Sequence, residues 1–341
     1  MREDLNHGGS AEPSENFQRA VQTAQDLHHS LGKVIKGRDD TIRLTITALL
    51  ADGHVLLEDY PGSGKTLLTK TLGRLIRSEV VQDDYSHILP FRRIQFTPDM
   101  LPGDVLGVNV FDAQSGSFRF LHGPVFAHVV LADELNRTGP KVQAAFLECM
   151  AEKQVTIDNV THRLDQLFFV VGTQNPLDLA GTYPLPLVQL DRFLLKIPMS
   201  YVDASSEIEI LRDHESIMGS AESLEPVCSR EQVLAAQRAT KEVFVSDTLR
   251  RAIVDLVQET RSSPLLQFGV STRAGLMLQS ALRAWALVNG KTYVDEDDLK
   301  YIAPFVLRHR LKFSGGVSSE AEAFEQIISN PLERLIRASR S

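Results

Sequence analysis

Lys65 and Thr66 end a turn, Tyr60-Pro61-Gly62-Ser63-Gly64-Lys65-Thr66, that follows the apolar run His54-Val55-Leu56-Leu57 and precedes Leu67, Leu68 and Leu72. A strand, a glycine-bearing turn and a helix in this order make a cradle for phosphate. Backbone N–H groups of the turn and of the helix start converge on anionic oxygens. Lys65 is spaced to reach the β- and γ-phosphates, and the Thr66 hydroxyl to ligate magnesium. Pro61, Gly62, Ser63, Gly64 and Leu67 complete the cradle. A second segment, Val129-Val130-Leu131-Ala132-Asp133-Glu134, reads as a buried strand with two carboxylates at its C-terminal end. There Asp133 would hold the metal through its water shell, and Glu134 would orient and deprotonate an attacking water. Taken singly, the turn could be a plain connection and the carboxylates a solvated strand end. Together, in this order, they predict a magnesium-dependent ATPase that binds ATP.

Elements must bring these groups together. Apolar runs predict strands at 54–58, 92–96, 128–133, 167–173 and 193–198, with helices between most of them, such as 65–77 and 140–152. Such alternation implies an α/β fold with a five-stranded, mainly parallel sheet covered on both faces. Upstream, a helix is expected from Asn16 to Leu31, a turn at 34–38 and a helix over 39–51. Residues 104–124 break the alternation. Val108 to Phe111 and Ser117 to Phe120 flank Asp112-Ala113-Gln114-Ser115-Gly116 and read as an inserted hairpin. It is either a functional loop or an antiparallel extension of the sheet edge. Beyond residue 202 the strand signals fade and helical stripes take over, for example Leu249, Ile253, Leu256, Val257 and Thr260. The expected organisation is a disordered tail at 1–15, an α/β domain at 16–202 and an all-helical domain at 203–341.

The chain has 341 residues, enough for a substantial core and two domains. Its formal charge of -8 argues against an overall field for nucleic acid. Cys149 and Cys228, the only cysteines, suggest a reducing compartment without a disulfide framework. Cys149 falls in an apolar helical pattern and reads as a core residue. His122 and His128 read as packing or turn residues, since no His and Cys cluster has ligand spacing. No run is long enough to span a membrane, and the polar first residues lack a signal-peptide core. The reading is a soluble cytoplasmic protein.

The chain resembles the MoxR family of AAA+ ATPases along nearly its whole length beyond the tail. The motifs that carry the likeness are Gln95 to Asp104, Gly123 to Ala127, Ala132 to Arg137, Gln154 to Asp158, Thr173 to Pro176, Gly181 to Pro186, Gln189 to Phe193, Ser271 to Ala274 and Val306 to Leu311. The resemblance implies that Asn175 is the sensor asparagine that helps Glu134 position water. It implies that Arg192 is an arginine acting on a neighbour's site, with a salt bridge to Asp191 as the alternative. Arg273 matches the second sensor, which would touch the γ-phosphate and report its loss to the helical lid. Val34, Ile35 and Gly37 match the turn that packs on adenine, and the hairpin looks like the insert in helix 2 of the ATPase domain. Relatives generally form hexameric rings, often work with proteins carrying a von Willebrand factor A domain, and act in metalloenzyme maturation. The implied function is chaperone-like remodelling or activation of a protein client.

Three positions depart from the family pattern. Asp59 replaces the first glycine of the phosphate loop, and its carboxylate is expected to weaken ATP binding by repelling the γ-phosphate. Nucleotide titration of Asp59→Gly tests this: unchanged affinity refutes it. Leu187 stands where an acid is common, and Thr272 where proline is. Two other functions fit parts of the sequence. One is a nucleic-acid motor using the hairpin, disfavoured by the lack of a basic-aromatic pattern. The other is a nonhydrolytic scaffold, motivated by Asp59.

Overall fold

Ser14 accepts a hydrogen bond from the N–H of Phe17 and so starts a helix, Glu15–Val34. Phe17, Ala20, Ala24, Leu27, Leu31 and Val34 recur at helical spacing and are all buried. Each of the leucines contributes about 1.5–3 kcal/mol by leaving water. The computed structural model describes residues 13–59, 62–78, 88–175 and 181–339. The expected disordered tail lies largely outside these residues, but Ser14 and Glu15 already belong to the helix start. A second helix, Asp39–Leu50, follows the turn at 35–38.

Five strands form the central sheet: β1 (Val55–Asp59), β2 (Leu89–Gln95), β3 (Ala127–Asp133), β4 (Phe169–Gln174) and β5 (Leu195–Met199). Their order is β5-β1-β4-β3-β2, and every pairing is parallel. All seven residues of β3 are buried, as expected for a strand covered on both faces. Side chains alternate between two cores. Val55, Leu57, Val129, Leu131 and Val171 face one, whereas Leu56, Val130, Ala132 and Val170 face the other. The register sets Asp133 level with Gln95, and Ala132 level with Gly172. The C-terminal ends of β1, β3 and β4 therefore lie side by side, the crevice where open parallel sheets bind ligands.

The inserted hairpin pairs Gly107–Asp112 with Ser117–His122 as a separate two-stranded sheet, so it does not extend the edge of the main one. A Cβ on Gly123 would lie 2.3 Å from the Val105 carbonyl oxygen, which explains glycine at this neck. A second hairpin, Gln154–Ile157 with Val160–Arg163, had no place among the expected strands. The two hairpins touch. Phe120 stacks on His162 at 3.8 Å, and Asn109 Nδ2 donates to Asp158 Oδ2 at 2.8 Å.

The helices after residue 203 pack on one another and on the rest of the chain. Their apolar residues join those of the two N-terminal helices in one continuous cluster on a single face of the sheet. Polar ties reinforce the union. Arg230 Nε donates to the buried Asp165 at 2.8 Å, Gln237 Nε2 to the Leu49 carbonyl at 2.8 Å, and Val227 N to the Leu75 carbonyl at 2.9 Å. The C-terminal region is thus all but entirely helical, as expected, and these ties fasten it to the α/β part. Cys149 and Cys228 are buried, and burial pushes both thiols up, Cys228 to about 12. His128 is buried with Nε2 3.0 Å from Ser78 Oγ, and His122 packs edge-on against Phe126.

Candidate active site

Gly64 caps the helix Lys65–Leu75 in the left-handed conformation, with φ 88°. Gly62 shares that geometry at φ 87°. A Cβ added to either would meet nothing within 4 Å, so it is the left-handed backbone and not crowding that calls for glycine here. Tyr60 and Pro61 lie outside the described residues, as does the Asp59 side chain. Lys65 Nζ lies 3.3 Å from Asp133 Oδ1, which joins the turn to the acidic strand.

Asp133 is the hub. Its side chain is 3 % exposed. Oδ1 also accepts from Thr173 Oγ1 at 2.8 Å, and Oδ2 accepts from Arg93 Nη2 at 2.6 Å and Nε at 3.2 Å. Burial alone would raise its pKa. Hydrogen bonds from Arg93 and Thr173 and the charge of Lys65 outweigh that and hold the carboxyl below its ordinary value. Glu134 sits next, at φ 57°, an unusual conformation for a non-glycine residue and one found at strained functional positions. Its N–H donates to Thr173 Oγ1 at 2.9 Å, and its Oε2 accepts from Gln95 Nε2 at 2.7 Å and lies 3.1 Å from Arg137 Nε. Asn175 follows Gln174 at the end of β4, one strand over.

A cavity of about 440 Å³ opens beside the cradle. Val34, Ile35, Gly62, Ser63, Gly64 and Leu67 line it, together with Met199 at the end of β5, Tyr201 beyond it, and Ile210 and Ile217 of the helix Ala204–Ser223. Gly37 is not on its wall. Its role is close packing, since a Cβ there would lie 2.6 Å from Ser206 Oγ. An apolar cavity beside a phosphate cradle fits a nucleotide base. The donor set also fits magnesium: a buried carboxylate already holding cations, and the hydroxyl of Thr66 in the first turn of the helix.

Arg192 and Arg273 lie elsewhere. Both line a cavity of about 340 Å³ with Asp52, Gly53 and His54, which precede β1. The cradle follows β1. A five-residue strand spans about 16 Å, so the two arginines stand at the far end of the sheet. Within one chain Arg273 therefore does not line the cavity beside the cradle, where the expectation set it with Lys65 on one γ-phosphate. Neither arginine has an ion-pair partner among the described residues. Asp191, the alternative partner for Arg192, instead accepts from Arg310 Nε at 2.7 Å. Arg310 is buried and also donates to the carbonyl of Phe193 at 2.6 Å, while His309 Nε2 lies 3.1 Å from that oxygen.

Sequence reading missed Arg93, Thr173 and Arg310 as individual site residues. Arg93 and Gln95 share a face by the two-residue period of β2, but this signal has meaning only once β2 is known to neighbour β3.

Family models match residues 54–195, described as the ATPase family associated with various cellular activities, and residues 258–331, described as the AAA lid domain. Chaperone MoxR1 of Mycobacterium tuberculosis is 34% identical over 94% of this chain and 84% of its own. The uncharacterized protein YeaC of Bacillus subtilis is 42% identical over 89% of this chain and 93% of its own. A crystal structure of a Cytophaga hutchinsonii protein assigned as an ATPase superposes with TM-score 0.81 at 36% identity, covering 94% of this chain and 96% of that one. With the cradle, the acidic strand, the β5-β1-β4-β3-β2 sheet and these relatives in agreement, the chain belongs to the MoxR family of AAA+ ATPases.

Proposed function

We propose that the chain hydrolyses ATP at a site completed by a second copy of itself, and uses the cycle to remodel partner proteins. One observation carries this reading: Arg192 and Arg273 share a wall at the end of the sheet opposite Lys65 and Asp133. Within one chain they cannot act on a triphosphate held by Gly62–Thr66. In a head-to-tail assembly, one copy's arginine end meets the next copy's phosphate end, and such contacts close into rings. A hexameric ring is the form we favour.

Thr66 and Asp133 are the residues that would hold magnesium. When bound, the metal would supply Lewis-acid stabilisation of the phosphate charge. Lys65 neutralises the same oxygens from the side of the turn. Glu134 takes the proton of the attacking water, with Asn175 orienting that water. Arg192 and Arg273 of the neighbour stabilise the negative charge that spreads in the transition state.

The anchored lid alters the expected motion. Arg230, Gln237 and Arg310 tie each lid to its own core, so the movement that follows hydrolysis passes between copies. The name of the Mycobacterium relative, Chaperone MoxR1, supports a protein client. A partner with a von Willebrand factor A domain and a metalloenzyme client are part of this proposal. Phosphate release that requires magnesium and disappears in Glu134→Gln, with ATP binding retained, is the expected result. Release that persists in that variant refutes the assigned base. Wild-type protein that neither binds nor consumes ATP refutes the reading.

A further inference from the structure

Arg93 is the cation nearest to Asp133, and none of the chemistry above uses it. Its guanidinium places Nη2 at 2.6 Å and Nε at 3.2 Å from Oδ2, so one carboxylate oxygen takes two of its donors. The other oxygen, Oδ1, is held by Thr173 at 2.8 Å and by Lys65 at 3.3 Å. These two sets differ in how easily they can be released. Thr173 also accepts the N–H of Glu134 and is buried, so its bond belongs to the scaffold. Arg93 comes from β2, an edge strand, and its side chain is 47 % exposed, so it can swing into solvent. Gln95 Oε1 accepts from the same Nη2 at 2.6 Å and braces the guanidinium in place.

A carboxylate that binds the water shell of a metal needs a lone pair pointing at that shell. Arg93 and Lys65 are the releasable partners; Lys65 shares Oδ1 with the fixed Thr173, whereas Oδ2 is covered by Arg93. A guanidinium and a hydrated dication also repel each other at this range. We propose that Arg93 and the magnesium shell compete for Oδ2 of Asp133, so that the strength of this pair sets how far the site prefers Mg·ATP over metal-free ATP. The inference rests on the ATPase reading and adds a positioning residue to it. In a site with Arg93 paired, Asp133 is neutralised and its geometry kept. With magnesium held at Asp133, Arg93 would turn outward, one cation replacing another.

The test is titration of the full chain with a fluorescent ATP analogue, once with excess magnesium and once with excess EDTA, giving a ratio of two affinities. In Arg93→Ala the ratio is expected to rise about tenfold, because a charge-assisted pair no longer opposes the metal. Arg93→Lys keeps a point charge against Oδ2 and is expected to hold the ratio within about twofold of the wild type. Asp133→Asn removes the contested charge. Adding Arg93→Ala to that variant is expected to leave the ratio where Asp133→Asn alone puts it. Melting curves check that each variant is folded, and Arg93→Gln replaces Arg93→Ala if the latter is not. An unchanged ratio in folded Arg93→Ala or Arg93→Gln overturns the proposal. So does equal weakening of both affinities, which would make Arg93 a phosphate ligand. Absence of any ATP binding by the wild type would instead defeat the ATPase reading.

Discussion

At the carboxyl end of the sheet, Asp133 is held by Lys65, Arg93 and Thr173, and Glu134 by Gln95 and Arg137. At the amino end, Arg192 and Arg273 project onto a cavity with no ion-pair partner among the described residues. The first end has cations and carboxylates matched to one another, so it is organised within one chain. The second has charge in excess, with Lys153 already paired to Asp52 at 2.7 Å. Arg192 is part-exposed and Arg273 exposed, so both can meet an anion that arrives from outside. The contrast is the physical argument for a site made by two copies. The amino end is nonetheless rigid. Arg310 and His309 grip the backbone on either side of Arg192, so its position is set by the lid.

The sharpest way to break the comparison is to disable one end at a time. Arg192→Ala is expected to lower phosphate release by about a thousandfold while leaving ATP binding nearly unchanged. Mixing it with Glu134→Gln, each inactive alone, should restore up to about a quarter of wild-type turnover, because intact halves then meet at some interfaces. No recovery at concentrations that support assembly would place both functions in one chain. Next in size is Arg310→Ala. Removing a buried cation strands the Asp191 carboxylate and four carbonyls, so a loss of about 3 kcal/mol is expected by chemical denaturation. Turnover should fall further than ATP affinity, because the arginine end is the one disturbed.

Acid should loosen the amino end. His54, buried at its cavity, is held down to about 4 by burial, outweighing the hydrogen bond to the Met150 carbonyl. Burial also depresses His309. Both are neutral when folded and bind protons when unfolded below about pH 6.5. Their contribution is therefore complete above that pH and is lost as pH falls toward 4, by up to about 3 kcal/mol for His54. Melting temperature should drop across this window, and His54→Gln should flatten the slope. A slope unchanged by that substitution would assign the acid sensitivity elsewhere. The smallest effect is expected at the scaffold of the phosphate end. Thr173→Val leaves the N–H of Glu134 and one lone pair of Asp133 unmatched, at about 1–3 kcal/mol. It should lower kcat about tenfold with little change in KM, and an equal rise in KM would contradict a role in setting the catalytic groups.

Local chemistry made much of this molecule legible in its sequence. Continuous apolar runs mark strands that are buried on both faces, and β1 through β5 lie within a few residues of where those runs predict. The lysine, threonine and carboxylates of the phosphate end sit at strand ends, where the order strand, turn, helix fixes their direction. Helical stripes were equally visible, as Leu249, Ile253, Leu256, Val257 and Thr260, all buried on the helix Asp247–Ser262, illustrate. What the chain could not announce was adjacency between distant segments. The hairpin at 154–163 was missed because its strands are short, four residues each, and weakly apolar.

The sequence by itself determined the elements and the identity of the groups at each strand end, because propensity, periodicity and turn chemistry act over a few residues. Only the tertiary structure decided which ends coincide. It aligned Gln95 with Asp133, gave Asp191 to Arg310, and carried Arg273 to the amino end beside Arg192. Those outcomes follow from strand order and from how the lid shares the core of the N-terminal helices. Both are set by burial summed over the whole chain, which no local window contains.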